Sequence, residues 1–149
     1  MNIKVIKSNY ITRVIINEPN TYNSLSFKNL NDLIKVFKKL DNDKQTKVII
    51  LEGAGKGFSA GHNLKEVKGL KKRNKYQKLF NLCSHLMLQI VEGRKPVIAK
   101  VHGAAYAAGC QLAASCDLAY SSKDALFATP GVANVAELVL YARSQLAAN

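Results

Sequence analysis

An α/β fold with crossover connections is predicted by three observations. Short β-branched runs alternate with amphipathic segments of helical spacing along the chain. One run, Lys47–Leu51, is apolar after its first residue, as are strands buried on both faces of a parallel sheet. A glycine-rich segment directly follows this strand, where α/β sheets commonly bind ligands.

The elements follow in order. "IKVI" and "YITRVIIN" flank Lys7–Ser8–Asn9 and read as a hairpin. "EPNTYNSLS" is punctuated by Pro, Asn and Ser and reads as a loop, with Ser26 placed to cap a helix. In that helix Phe27, Leu30, Leu33, Ile34, Phe37 and Leu40 form one stripe. The strand Lys47–Leu51 leads into a glycine-rich loop, Gly53 to Gly61. After a basic stretch, Tyr76, Leu79, Phe80, Cys83, Leu86, Met87, Ile90 and Val91 make a second helical stripe, ended by Gly93. "PVIAKVHG" is a strand, Ala104–Cys116 a turn and helix, and "DLAYS" a further strand. Lys100, inside a strand, requires a partner or an edge position.

With 149 residues, the chain can form one domain with a sizeable core. A hydrophobic fraction of 48% against 21% charged residues excludes a disordered chain. The net charge of +12 comes almost wholly from lysine and favours anionic partners, such as phosphorylated cofactors, nucleic acid or anionic membrane. Cys83, Cys110 and Cys116 have no metal-ligand or disulfide spacing and point to a reducing compartment. "MNIKVIKSNY" has neither a signal-peptide core nor an arginine-rich transit helix. The expected location is therefore cytoplasmic, with mitochondria as the alternative. The longest apolar stretch, Val97–Cys110, is interrupted by Lys100 and His102 and is too short to span a bilayer.

Two motifs carry the chemistry. "GAGKGFSAGHN" lacks the third glycine of a dinucleotide fingerprint and the Ser or Thr of a phosphate loop, so its spacing alone supports only a tight structural loop. "AYAAGCQLAASCD" surrounds a single amide, Gln111, with tiny residues. They permit close packing, or they let peptide N–H groups approach an anionic oxygen. His62, His85 and His102 have no ligand spacing, and no metal site is expected. Cys110 acting with His102 as base ranks well below a simple packing role. The run "KEVKGLKKRNKYQK" holds seven positive residues and reads as a solvated loop. It lacks the interleaved aromatics of a nucleic-acid surface, and nucleic acid is not the expected partner.

Taken together, "NEPNTYNSLS", "GKGFSAGHNLKEV" and "KPVIAKVHGAAYAAGCQLAASCDLAYSS" occur in this order and are followed by "FATPGV". They resemble the crotonase, or enoyl-CoA hydratase/isomerase, superfamily over about Ile3–Val132, and most closely its enoyl-CoA hydratase domain-containing branch. The resemblance implies a spiral of ββα units in residues 1–132, stopping before the family's C-terminal helical region. Residues 133–149, which lack lysine, depart from the family pattern as an atypical tail.

What the resemblance implies for function is an acyl-CoA thioester whose oxyanion is held by the backbone N–H groups of Ala60 and Ala108. Ala60, Gly61, His62, Asn63, Leu64 and Lys65 would line the coenzyme A path, with Lys65 at a phosphate. Coenzyme A enters as part of the substrate, and no further cofactor is implied. Hydratases of the family carry general acid/base glutamates at the positions of Gln111 and Gly131. An amide cannot exchange a proton as a carboxylate does, so Gln111 is expected to orient water or substrate, and two-glutamate hydration is not expected. The family's homotrimer is not expected without the C-terminal helices. Two alternatives stay open: a non-catalytic acyl-CoA binder or degenerate truncated product, and a basic RNA-binding module on the same fold.

Overall fold

The computed structural model describes residues 2–129; Gly131 and the tail 133–149 lie outside the described residues. The chain opens with the expected hairpin, β1 (Ile3–Ser8) antiparallel to β2 (Ile11–Ile16), with Asn9 in the left-handed region at the turn. A single 3-10 turn, Pro19–Thr21, interrupts the loop that follows. Helix α1 (Phe27–Asp41) starts where the Ser26 hydroxyl accepts a hydrogen bond from the Asn29 N–H. At its other end the Lys95 ammonium donates to the Leu40 and Asp43 carbonyls.

Beyond α1 the chain repeats a strand–strand–helix unit. β3 (Val48–Gly53) and β4 (Gly57–Ser59) precede α2 (Leu64–Gly69) and α3 (Arg73–Val91). β5 (Val97–Val101) and β6 (Ala104–Tyr106) precede α4 (Ala108–Ala114), and β7 (Leu118–Ser121) and β8 (Leu126–Ala128) follow. The first strand of each pair joins a sheet ordered β1-β2-β3-β5-β7, and the second joins a sheet ordered β4-β6-β8. Apart from the hairpin, the strand pairings are parallel. This is the expected ββα spiral. Residues 65–78, expected as a loop, are instead largely helical: Asn63 caps α2 by accepting from the Lys65 and Glu66 N–H groups, and α3 begins within the basic run.

The core lies between the larger sheet and α1 and α3. Val14, Ile16, Ile49, Leu51, Val97, Ala99 and Val101 alternate along their strands and are buried. Against them α1 buries Leu30, Leu33, Phe37 and Leu40, and α3 buries Leu79, Cys83, Leu86, Met87 and Ile90. Truncating one of these leucines to alanine costs about 2–5 kcal/mol. Phe80 and Val91, assigned to the same stripe from spacing, are 51% and 62% exposed.

Candidate functional site

The glycine-rich loop is held in place by the loop before α1. Tyr22 and Asn23 both adopt left-handed backbone angles (φ 51° and 54°), a conformation that asparagine tolerates better than most residues. This directs the buried Asn23 amide at the glycine-rich loop, where Nδ2 donates to the Ala54 and Gly57 carbonyls at 2.7 and 2.8 Å. Its Oδ1 accepts the Glu18 N–H, and the Ser59 hydroxyl donates back to the Asn23 carbonyl. The Leu25 N–H then donates to the Gly61 carbonyl at 2.8 Å. Segments 22–25 and 57–61 are thus laced together along their length. Asn23 was not singled out in the sequence, where it is one polar residue among several.

A cavity of about 280 Å³ opens beside this seam. Ala60, His62, Asn63, Leu64 and Lys65 line it from one side, and Asn20, Thr21 and Ser24 from the other. The structure therefore brings five of the six expected coenzyme A residues into one depression. The sixth, Gly61, is buried and has φ +85°. A Cβ added there would stand 2.8 Å from the Tyr106 carbonyl oxygen and 3.1 Å from the Ala108 nitrogen. The glycine-rich loop and the small-residue motif around Gln111 thus meet at Gly61 and Ala108. Gly109 brings α4 hard against β4, since a Cβ there would run into the Ser59 carbonyl oxygen. The tiny residues around Gln111 therefore serve close approach.

Ala107 takes an unusual backbone conformation (φ 48°, ψ −120°) at the start of α4. Among the described residues, the N–H of Ala108 that follows has no acceptor, nor does the N–H of His62. Ala60 differs: its N–H, expected as an oxyanion donor, donates to the Tyr22 carbonyl at 2.9 Å as part of the seam. That hydrogen is already engaged. Gln111 lies on the exposed side of α4, within one turn of Ala108. The His62 ring bonds the Leu25 carbonyl through Nδ1 at 3.3 Å and meets Phe80 of α3 edge to face, with centroids 5.3 Å apart.

Lys65, the charged residue lining the cavity, opens the basic run. Glu66 is the acidic residue of the basic run, and its carboxylate is occupied in accepting the Phe27 N–H at 3.0 Å. Among the described residues, no group of three or more His, Cys, Asp or Glu side chains is arranged to hold a metal. His102 bonds the Gly55 carbonyl through Nε2 at 2.8 Å, which turns its ring to the glycine-rich loop. Burial pushes the Cys83 thiol up to about 11, and burial with the Asp117 charge pushes Cys116 up to about 12, so neither is a thiolate near neutrality. Among the described residues, no helix is long and apolar enough to cross a membrane.

A model of the enoyl-CoA hydratase/isomerase family matches residues 7–134. Enoyl-CoA hydratase domain-containing protein 3 of Xenopus laevis, named as mitochondrial, is 43% identical over 122 residues, covering 82% of this chain and 42% of that protein. A short-chain-enoyl-CoA hydratase of Clostridium acetobutylicum is 35% identical over 134 residues, covering 88% of this chain and 50% of that protein. Among solved structures, an enoyl-CoA hydratase of Mycobacterium smegmatis superposes with a TM-score of 0.86 at 40% identity, over 91% of this chain and 53% of that one. Human enoyl coenzyme A hydratase domain-containing protein 3 gives 0.84 at 38% identity, again over 91% and 53%. The chain spans half or less of the length of these curated relatives.

Proposed function

The chain belongs to the enoyl-CoA hydratase/isomerase family and has its crotonase fold, and from that premise we propose that it binds an acyl-CoA in the cavity beside Ala60–Lys65. The observation that carries this reading is the meeting of the glycine-rich loop with the small-residue motif around Gln111: the Ala108 N–H, without an acceptor among the described residues, stands against Gly61, the residue between the cavity-lining Ala60 and His62. The thioester oxygen would accept from Ala108 and, in place of the engaged Ala60, from the neighbouring His62 N–H. Both donors are fixed before substrate arrives, which is what stabilisation of a developing oxyanion requires.

Lys65 would meet a phosphate of the coenzyme, with the basic run from Lys65 to Lys78 drawing the anionic ligand in. Gln111 would orient water or the acyl group by hydrogen bonding. Neither Gln111 nor Gly131 supplies a carboxylate, so the reaction expected is one driven by polarising the thioester rather than two-glutamate hydration. A non-catalytic acyl-CoA binder is the second reading, favoured by the same two residues. We place its work in the cytoplasm, with the mitochondrial compartment named for the vertebrate relatives as the alternative, which imaging of the tagged chain would decide.

Thermal melting with and without butyryl-CoA tests the proposal. A rise in Tm that grows with butyryl-CoA concentration, about 2.7 kcal/mol of stabilisation at a hundred times Kd, is the expected result. A cooperative melt that butyryl-CoA leaves unmoved would overturn it.

A further inference from the structure

We infer that His62 is a catalytic acid/base of this site, exchanging the proton on the carbon next to the thioester carbonyl. The inference rests on the acyl-CoA reading above and identifies a proton-transfer group that neither Gln111 nor Gly131 supplies.

Three observations support it. His62 lines the cavity, half-buried, between Ala60 and Lys65. Its ring is held on two sides, by the Leu25 carbonyl at Nδ1 and by the edge-to-face contact with Phe80. A carbonyl oxygen only accepts, so Nδ1 carries the hydrogen and donates it to Leu25. In the neutral ring this leaves Nε2 with a basic lone pair. The hydrogen bond therefore selects the tautomer as well as the orientation. Other polar groups lining the cavity belong to asparagine, serine and threonine, which do not exchange protons at neutrality, and to the Lys65 ammonium.

The step balances without an outside reagent. Nε2 takes a proton from the α-carbon, and the C–H electron pair moves into the bond to the carbonyl carbon. The carbonyl π pair moves onto oxygen, where the N–H groups of His62 and Ala108 receive it. Return of a proton from Nε2 to the α-carbon regenerates the thioester. In heavy water the returned particle is a deuteron.

The experiment incubates the full chain with butyryl-CoA in D2O and follows loss of the α-proton signal by NMR, with butyryl-CoA binding measured in parallel by thermal shift. Wild-type protein is expected to exchange the α-protons, and His62→Gln to bind while exchanging about 10²–10⁴-fold more slowly. His62→Asn, which keeps a donor for Leu25 and lacks Nε2, is expected to show the same loss, so a folding defect in one variant does not decide the outcome. Exchange at the wild-type rate in either folded variant would overturn the inference. Wild-type protein that binds butyryl-CoA without exchanging it would overturn the inference and leave the binding reading standing, whereas wild-type protein that does not bind it would overturn both.

Discussion

Lys100 lies directly across the sheet from Glu52, its Nζ 3.4 Å from Oε2, in a strand paired on both sides. The Glu52 side chain is 8% exposed and takes a second cation, Arg13, at 2.6 Å. The lysine that looked costly inside a strand is thus paired across the ladder and 62% exposed, while the buried member of the group is the glutamate.

Burial alone would raise the Glu52 pKa, but the Arg13 hydrogen bond and the charges of Arg13 and Lys100 outweigh it and hold the carboxyl below its ordinary range. A depressed carboxyl stabilises the fold above its unfolded pKa, roughly 4.3, and the contribution fades as pH falls through the lower, folded value. Glu52→Gln is therefore expected to lose about 1–3 kcal/mol at pH 7. Its deficit against wild type should shrink below about pH 4, as measured by urea melts across that range. A deficit independent of pH would refute the ion-pair account.

Asn23→Ala removes the donors to the buried Gly57 carbonyl and the partly buried Ala54 carbonyl, and places a residue less tolerant of φ 54° in the loop. Each orphaned carbonyl costs about 1–3 kcal/mol. The variant should lose most of its cooperative melting transition and, with the seam loosened, its butyryl-CoA shift. A variant melting within a degree or two of wild type would show that the seam is held elsewhere.

Gly109→Ala is expected to be far worse than its size suggests. The added methyl runs into the backbone of Ser59, which cannot rotate away as a side chain would. Overpacking of this kind costs about 1–3 kcal/mol and displaces α4 from β4. The readout is the denaturation midpoint alongside that of Gly69→Ala, whose Cβ meets nothing within 4 Å and which should be neutral or stabilising.

With their thiols raised by burial, Cys83 and Cys116 should resist alkylation in the native chain at pH 8 and react only on unfolding. Peptide mass spectrometry after iodoacetamide treatment, with and without urea, checks this. Rapid native labelling of either residue would contradict their placement.

Much of the architecture was legible before any coordinates. Ser26 marked the start of α1, and the leucine spacing fixed the buried faces of α1 and α3, because amphipathic periodicity over three or more turns leaves a strong pattern. β4, β6 and β8 were not legible: at three residues each, they are too short to show alternation. α2 hid in a lysine-rich stretch with no apolar stripe, although Asn63 two and three residues before Lys65 and Glu66 was a usable capping signal. In the site, the clustering of Ala60 with His62–Lys65 followed from the motif, whereas the engagement of the Ala60 N–H depends on the left-handed turn at Tyr22, a distant backbone event that composition does not reveal.

The alternation of strands between two sheets also bears on how the chain acquires its structure. β1 and β2 pair across a turn of two residues and are complete as soon as they are made. β3, by contrast, meets β5 only after α2 and α3 have been synthesised, and β4 meets β6 only with Ala104 in place. Both sheets advance together, one strand each per repeat. Assembly therefore relies on distant pairings whose loop-closure cost precedes any gain, and refolding from denaturant should be slow, with the hairpin protected from hydrogen exchange well before the parallel strands.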